Sequence, residues 1–184
     1  IKNQSFKNIS FPTTSVKTRL GLNHSQVDSW IPHLLTHRLN FITLHGRTLS
    51  QGYSGTADWQ EIKKAVDIAT GFPIIGNGDI QSRGQGIEYC QKYGTAGALI
   101  GRAALGNPWV FADQSPSVSD RFTSALYHFQ IFQKVFPHRR TDSLRRHLLA
   151  YASGLPHAKK LRQKLVRVNT LNDLLLLEND FLNC

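Results

Sequence analysis

Four short apolar or β-branched runs, at residues 14–19, 40–44, 73–76 and 98–100, each lead into a polar or glycine-bearing loop and then a helical pattern. Their spacing is roughly that of a strand–helix–strand unit of about 30 residues, so the strands are expected to lie parallel in one sheet. A parallel sheet needs helices over its faces. The first helix is expected from about Ser25 as N-cap, with Val27, Trp30, Ile31, Leu34 and Leu35 forming its apolar stripe. The second starts at Asp58, carries Trp59, Ile62, Ala65, Val66 and Ala69, and is closed by Gly71 and Pro73. A third is expected from Ser82, weakened by Gly84 and Gly86, with Ile87 and Cys90 on one face and Gly94 at its end. Four units fall short of a closed (β/α)8 barrel of about 250 residues, but they have the size of its second half.

After Asp113 the strand signals stop. Gln114-Ser115-Pro116-Ser117 reads as a linker, and helices are expected at 120–136, 141–153, 156–168 and 171–177, separated by Pro137, Gly154-Leu155-Pro156 and Asn169-Thr170. The expected fold class is therefore α/β: the C-terminal half of a TIM (β/α)8 barrel over 1–113, a linker over 114–119, and a small all-α helical domain over 120–184. The chain opens on Ile1 and contains no methionine, so an N-terminal half of the barrel is expected to be missing upstream.

Composition narrows the functional classes. A hydrophobic content of 40% is enough for a core. No run of about 18 apolar residues and no signal peptide are visible, which points away from membranes and towards the cytoplasm. Cys90 and Cys184 lie far apart without C-x-x-C spacing, so reduced thiols and no metal site are expected. Residues 1–120 carry 11 Lys and Arg against 8 Asp and Glu, whereas 121–184 carry 11 against 4. A basic C-terminal third suits a polyanionic partner, nucleic acid ahead of a membrane surface, or else is a solvated basic surface.

In a parallel barrel the functional groups gather at the carboxyl ends of the strands. Here those ends read Ser15-Val16-Lys17-Thr18-Arg19, His45-Gly46-Arg47-Thr48, Gly76-Asn77-Gly78-Asp79 and Gly101-Arg102. Gly78 with Gly101 and Arg102 would make a phosphate cradle, the alternative being two tight turns. Lys17 should point to the barrel mouth, where a buried amine needs an anionic or carbonyl partner, or an ion pair with Asp79. His45 could contact a ligand or fix a loop.

The strings SVKTRLG, ITLHGRTLSQGYSGTADW, PIIGNGDI and ALIGRAALGNPWVF stand in the order and spacing of tRNA-dihydrouridine synthases, and RRHLLAY resembles that family's helical segment. The resemblance is dense over 12–112 and looser beyond. It implies flavin mononucleotide (FMN) at the barrel mouth, with Lys17 at the isoalloxazine, His45 beside it, and Asn77, Gly78, Asp79, Gly101 and Arg102 around the ribityl phosphate. It further implies reduction of uridine to 5,6-dihydrouridine in tRNA, with NADPH as hydride source and a protonating cysteine in the first half of the barrel. Neither Cys90 nor Cys184 matches that cysteine, so the chain alone is expected to be inactive. The helical segment resembles the family's tRNA-binding domain, making Arg139, Arg140, Arg145, Arg146, Lys159, Lys160, Arg162, Lys164 and Arg167 phosphate candidates. Arg19 and Arg47 would touch substrate phosphates or hold strand-end loops. The competing readings are a degenerate half-barrel that only binds RNA, and a flavin barrel acting on a small pyrimidine.

Overall fold

Apolar and β-branched residues alternate just before each polar strand-end motif, and these stretches are the strands of the computed structural model, which describes residues 13–112 and 114–183. Ser15–Arg19 (β1), Phe41–His45 (β2), Ile74–Asn77 (β3) and Gly97–Leu99 (β4) form one parallel sheet in the order β1-β2-β3-β4. The first three strands each lead into a helix: Val27–Leu35 (α1), Trp59–Ala69 (α2) and Arg83–Tyr93 (α3). This is the α/β architecture of half a TIM barrel, and only helices follow β4. The register pairs Arg19 with His45, His45 with Asn77, and Asn77 with Leu99. The polar ends of the strands therefore finish in one row.

Helix α2 forms as its sequence dictates. The Asp58 carboxylate accepts from the N–H groups of Gln60 and Glu61, satisfying two of the orphan donors of the first turn. Thr70 and Gly71, at φ 43° and 87°, end it. Its stripe of Trp59, Ile62, Ala65 and Ala69 is buried against the sheet residues Ile42, Leu44 and Ile74. Trp59 sits flat on β3 because position 76 lacks a Cβ: one built there would lie 2.4 Å from the indole ring. The indole N–H donates to the Gly78 carbonyl at 3.0 Å, and Tyr89 and Tyr93 of α3 pack on the ring with centroids 4.8 and 5.4 Å away.

Three local expectations are corrected. Gln26, not Ser25, holds the N-cap position of α1; the Ser25 hydroxyl donates to the Glu61 carboxylate while its oxygen accepts a long bond from the Val27 N–H at 3.5 Å. Trp30 stays 38% exposed at the edge of the buried Val27, Ile31 and Leu34 stripe, its indole N–H donating to the Thr18 hydroxyl. On α3, Ile87 faces outward at 43% exposure. The buried positions are Gly86 and Tyr93; Gly86 faces Ala98 and Ile80, where an added Cβ would stand at 3.6 Å, an ordinary contact distance.

By contacts the described residues fall into two compact units, one up to Ile80 with Gln85–Ile100, the other Gln81–Gly84 with the residues from Gly101 onward. The second holds Val118–Val135 (α4), Asp142–Tyr151 (α5), Ala158–Leu165 (α6), Leu171–Leu175 (α7) and Glu178–Leu182 (α8). Helix α4 begins within the expected 114–119 linker, because Ser117 and Asp120 close a reciprocal capping box at its start. The helix expected over 171–177 stops at Leu175, and α8 is an additional element. Its polar run hides a single anchor, Phe181, which is fully buried against Phe122. The core of this unit is aromatic and leucine-rich, built on Phe122, Phe129, Leu144, Leu148, Leu161 and Leu165. Cys184, the expected terminal thiol, lies outside the described residues, whereas Cys90 is a free thiol.

Gly76→Ala should destabilise the protein by about 1–3 kcal/mol through overpacking against Trp59. In a urea-unfolding double-mutant cycle with Trp59→Leu the two losses should be strongly non-additive; additive losses would show that the indole does not depend on the missing Cβ.

Candidate functional site

The row of strand ends is the starting point, since side chains two residues apart on a strand share a face. Lys17 lies one step below Arg19 on β1 and donates from Nζ to Oδ1 of Asn77 at 3.0 Å. The Asn77 amide in turn donates to the Leu99 carbonyl at 3.0 Å. Lys17 thus meets Asn77, and the alternative ion pair with Asp79 does not form. Nor is Lys17 buried as expected: it is exposed, because β1 is an edge of the described sheet. Partial desolvation of the amine, then the Arg19 charge, lower its pKa from the ordinary 10.5.

Asp79 has a different partner. Its carboxylate accepts from Nη2 of Arg47 at 2.9 and 2.7 Å, and from the Ala57 backbone N–H at 2.8 Å. Arg47 is 2% exposed, and it also donates to the carbonyls of Ser54 at 3.1 Å and Gly55 at 2.6 Å. One guanidinium thereby ties the loop after β2 to the loop after β3. Arg19 closes the other side of the same loop, donating to the carbonyls of Thr48 at 2.8 Å and Gly52 at 3.0 Å. Both arginines hold backbone, and they leave Tyr53 at the loop tip 68% exposed. Nothing in the sequence singled out that tyrosine. Its signal was its place between Gly52 and Gly55, both at positive φ.

His45 is enclosed by these cations. It is 8% exposed, with Nε2 3.5 Å from Nη1 of Arg47. Burial first, then Arg19, Lys17 and Arg47, bring its pKa from 6.5 to about 4, against the opposing pull of Asp79. The ring is therefore neutral at pH 7. Gly78 packs directly over it: at φ 134° the residue is in glycine's territory, and an added Cβ would meet Ala57 at 2.5 Å and the His45 ring at 3.2 Å. Lys17, Thr18, Arg19, Leu22, Trp30 and Leu49 line a cavity of about 600 Å³.

Of the remaining expected positions, Gly101 and Arg102 belong to the second compact unit, where Arg102 opens a short 3₁₀ turn, Arg102–Ala104. Among the basic residues of that unit, Arg139, Arg140, Arg146, Lys159, Lys160, Arg162, Lys164 and Arg167 are exposed. Arg145 is turned inward, bound to the Asp142 carboxylate at 2.8 Å and to Oδ1 of Asn169 at 2.5 Å. Lys164 pairs with Asp180 at 2.6 Å. Among the described residues no group of three metal-ligating side chains converges, and no helix is long and apolar enough to cross a membrane.

Chemically, the first unit offers an amine and a neutral imidazole beside a row of cations, with the Asp79 carboxylate paired to Arg47. That donor set suits an electron-rich, carbonyl-bearing or anionic ligand and disfavours a cation.

Breaking the Arg47–Asp79 pair with Asp79→Ala should cost about 3 kcal/mol, because it strands a buried guanidinium, and should open the 46–58 loop to proteolysis at Tyr53. Wild-type resistance to cleavage in the variant would show that the loop is held by other means. His45 gives a pH signature. The unfolded imidazole takes up a proton below 6.5 and the folded one only near 4, so stability should fall as pH drops across that window, by up to about 3 kcal/mol. Denaturant titrations of His45→Gln should lack that part of the decline; an unchanged pH dependence would assign it to other groups.

Residues 3–183 match the family model described as dihydrouridine synthase. A Synechocystis protein named probable tRNA-dihydrouridine synthase 1 is 32% identical over 178 residues, covering 90% of this chain and 50% of that protein. A Mycobacterium tuberculosis protein named probable tRNA-dihydrouridine synthase is 30% identical, covering 87% of this chain and 45% of its own length. One of the same name from Rickettsia bellii is 31% identical, with 91% and 54% covered. The chain thus spans about half the length of the curated relatives it matches.

Proposed function

Since the chain belongs to the dihydrouridine synthase family, we propose that it is the flavin- and tRNA-binding part of a cytoplasmic tRNA-dihydrouridine synthase. In this reading residues 1–113 are the C-terminal half of an FMN-binding barrel, 114–119 connect, and 120–184 grip tRNA. The front half of the barrel, with the proton-donating cysteine, completes the enzyme. FMN bound at the barrel mouth and reduced by NADPH would supply the hydride that converts uridine to 5,6-dihydrouridine.

The observation that carries the reading is the Lys17–Asn77 bond, at the carboxyl end of the sheet and beside neutral His45. Lys17 would donate to the electron-rich edge of the flavin ring, where a charge-assisted bond is strongest. His45 would hydrogen-bond without adding charge, and Asn77 would keep the amine aimed. Gly78 and Asp79, together with Gly101 and Arg102, would surround the phosphate of the cofactor. Asp79 contributes there by neutralising and fixing Arg47 rather than by touching an anion, since two negative groups repel. Arg19 and Arg47 would act by holding the substrate-side loop in shape, with any contact to RNA phosphates secondary. Arg139, Arg140, Arg146, Lys159, Lys160 and Arg162 would meet tRNA phosphates, whereas the internal bonds of Arg145 suit a bracing role. Uridine must leave its stack to be reduced, at a cost of a few kcal/mol, so a separate grip on the tRNA is required.

The chain should take up FMN, seen as a shifted flavin absorbance, and Lys17→Ala should weaken that uptake by about 10- to 100-fold, the worth of one charge-assisted hydrogen bond. It should also bind tRNA with an affinity that falls steeply with salt. A chain that binds neither sinks the proposal. Salt-sensitive tRNA binding with no flavin uptake would favour the RNA-binding-only reading.

A further inference from the structure

Between α4 and α5 the chain turns through Pro137 and leaves a cleft of about 340 Å³, bounded by Gln133, Phe136, Arg139, Arg140 and Asn169. Phe136 follows the last turn of α4, where apolar residues normally turn inward, yet it is 45% exposed. Its ring is not loose. It packs on the largely buried Phe132 with centroids 5.6 Å apart, and the Arg139 guanidinium stands 5.3 Å from its centroid. The side chain of Arg140, next along, is 87% exposed and pairs with the Asp142 carboxylate at 3.1 Å; that acid is also held by Arg145 at 2.8 Å. An exposed pair of this kind is weak, and Asp142 does not neutralise three arginines. The Gln133 amide makes no hydrogen bond among the described residues, which leaves it a donor and an acceptor to offer.

An exposed aromatic face beside arginines and a free amide is the combination that holds a base and its phosphate together. A duplex hides its base faces in the stack, so a site built on an aromatic face needs an unpaired base. The excess of 11 basic over 4 acidic residues in 121–184 selects a polyanion as the occupant, and the cleft has room for one base with its sugar.

We propose that the Phe136–Arg139–Arg140 cleft binds one unpaired RNA nucleotide, its base stacked on Phe136, its edge read by Gln133 and its phosphate on Arg140. The proposal rests on the tRNA-binding reading and adds that the helical unit selects single-stranded positions in addition to gripping backbone.

Fluorescence anisotropy on the whole chain tests it, with a labelled single-stranded hexauridylate and a blunt RNA duplex of equal charge as probes. The single strand should bind more tightly. Phe136→Leu should weaken single-strand binding about tenfold with the salt slope and duplex binding unchanged, whereas Arg140→Ala should lower the salt slope by about one. Phe136→Trp should retain or improve single-strand binding, which separates a lost stack from a damaged fold. Equal single-strand affinity for the wild type, Phe136→Leu and Phe136→Trp overturns the cleft, as do equal losses on duplex and single strand, or a wild type that binds an acidic peptide of the same charge as well as RNA. If tRNA and FMN bind but Phe136 is indifferent, the cleft alone fails. If the hexauridylate depends on Phe136 and tRNA binds while FMN does not, the cleft stands and the synthase reading fails.

Discussion

The carboxyl end of the sheet depends on the ion pair between Arg47 and Asp79. Burying a guanidinium is unfavourable unless its donors are met, and here they are met by Asp79 and by the carbonyls of Ser54 and Gly55. Because Asp79 comes from the loop after β3 and the carbonyls from the loop after β2, a single side chain fixes two loops to each other. Asp79 itself stands at φ 56°, in the left-handed region. Aspartate tolerates that conformation better than most side chains, and the bond from the Ala57 N–H reinforces it.

The same pair sets the electrostatics. Asp79 is turned to Arg47, among the described residues no carboxylate pairs with Lys17 or Arg19, and the enclosed His45 lies among cations. Burial first, and then the charges of Arg19, Lys17 and Arg47, hold its pKa down to about 4, against the opposing pull of Asp79. Lys17 meets Asn77, whose position two strands away in the Arg19–His45–Asn77 row is fixed by the parallel register. The shape of the two loops is the direct consequence of the buried pair.

The helical unit distributes its charge differently. Arg145 is drawn inward to Asp142 and Asn169 and stiffens the start of α5, whereas Arg139, Arg140 and the basic residues of α6 remain exposed. The core beneath is rich in phenylalanine, and its aromatic character reaches the surface at Phe136, the point where a basic face and a π face meet.

Much of this was legible beforehand. The strands, the Asp58 start of α2 and its buried stripe follow from periodicity and capping, which are local. The strand-end strings carried the family resemblance. Three features were hidden for physical reasons. Trp30 and Ile87 fit a helical stripe, but which edge of a stripe is buried depends on what packs against it. Ser25 has the chemistry of a cap, but the helix begins one residue later and its hydroxyl also donates to Glu61, 36 residues away. Helix α8 rests on one phenylalanine in a polar run, too little for a periodic signal. The sequence by itself determined the parallel βα order, the basic helical tail and the identity of the polar strand ends, because each is encoded in neighbouring residues. Only the tertiary structure decided that Asp79 belongs to Arg47 and not to Lys17, since Arg47 and Asp79 are 32 residues apart and meet only when adjacent parallel strands bring their loops to the same edge.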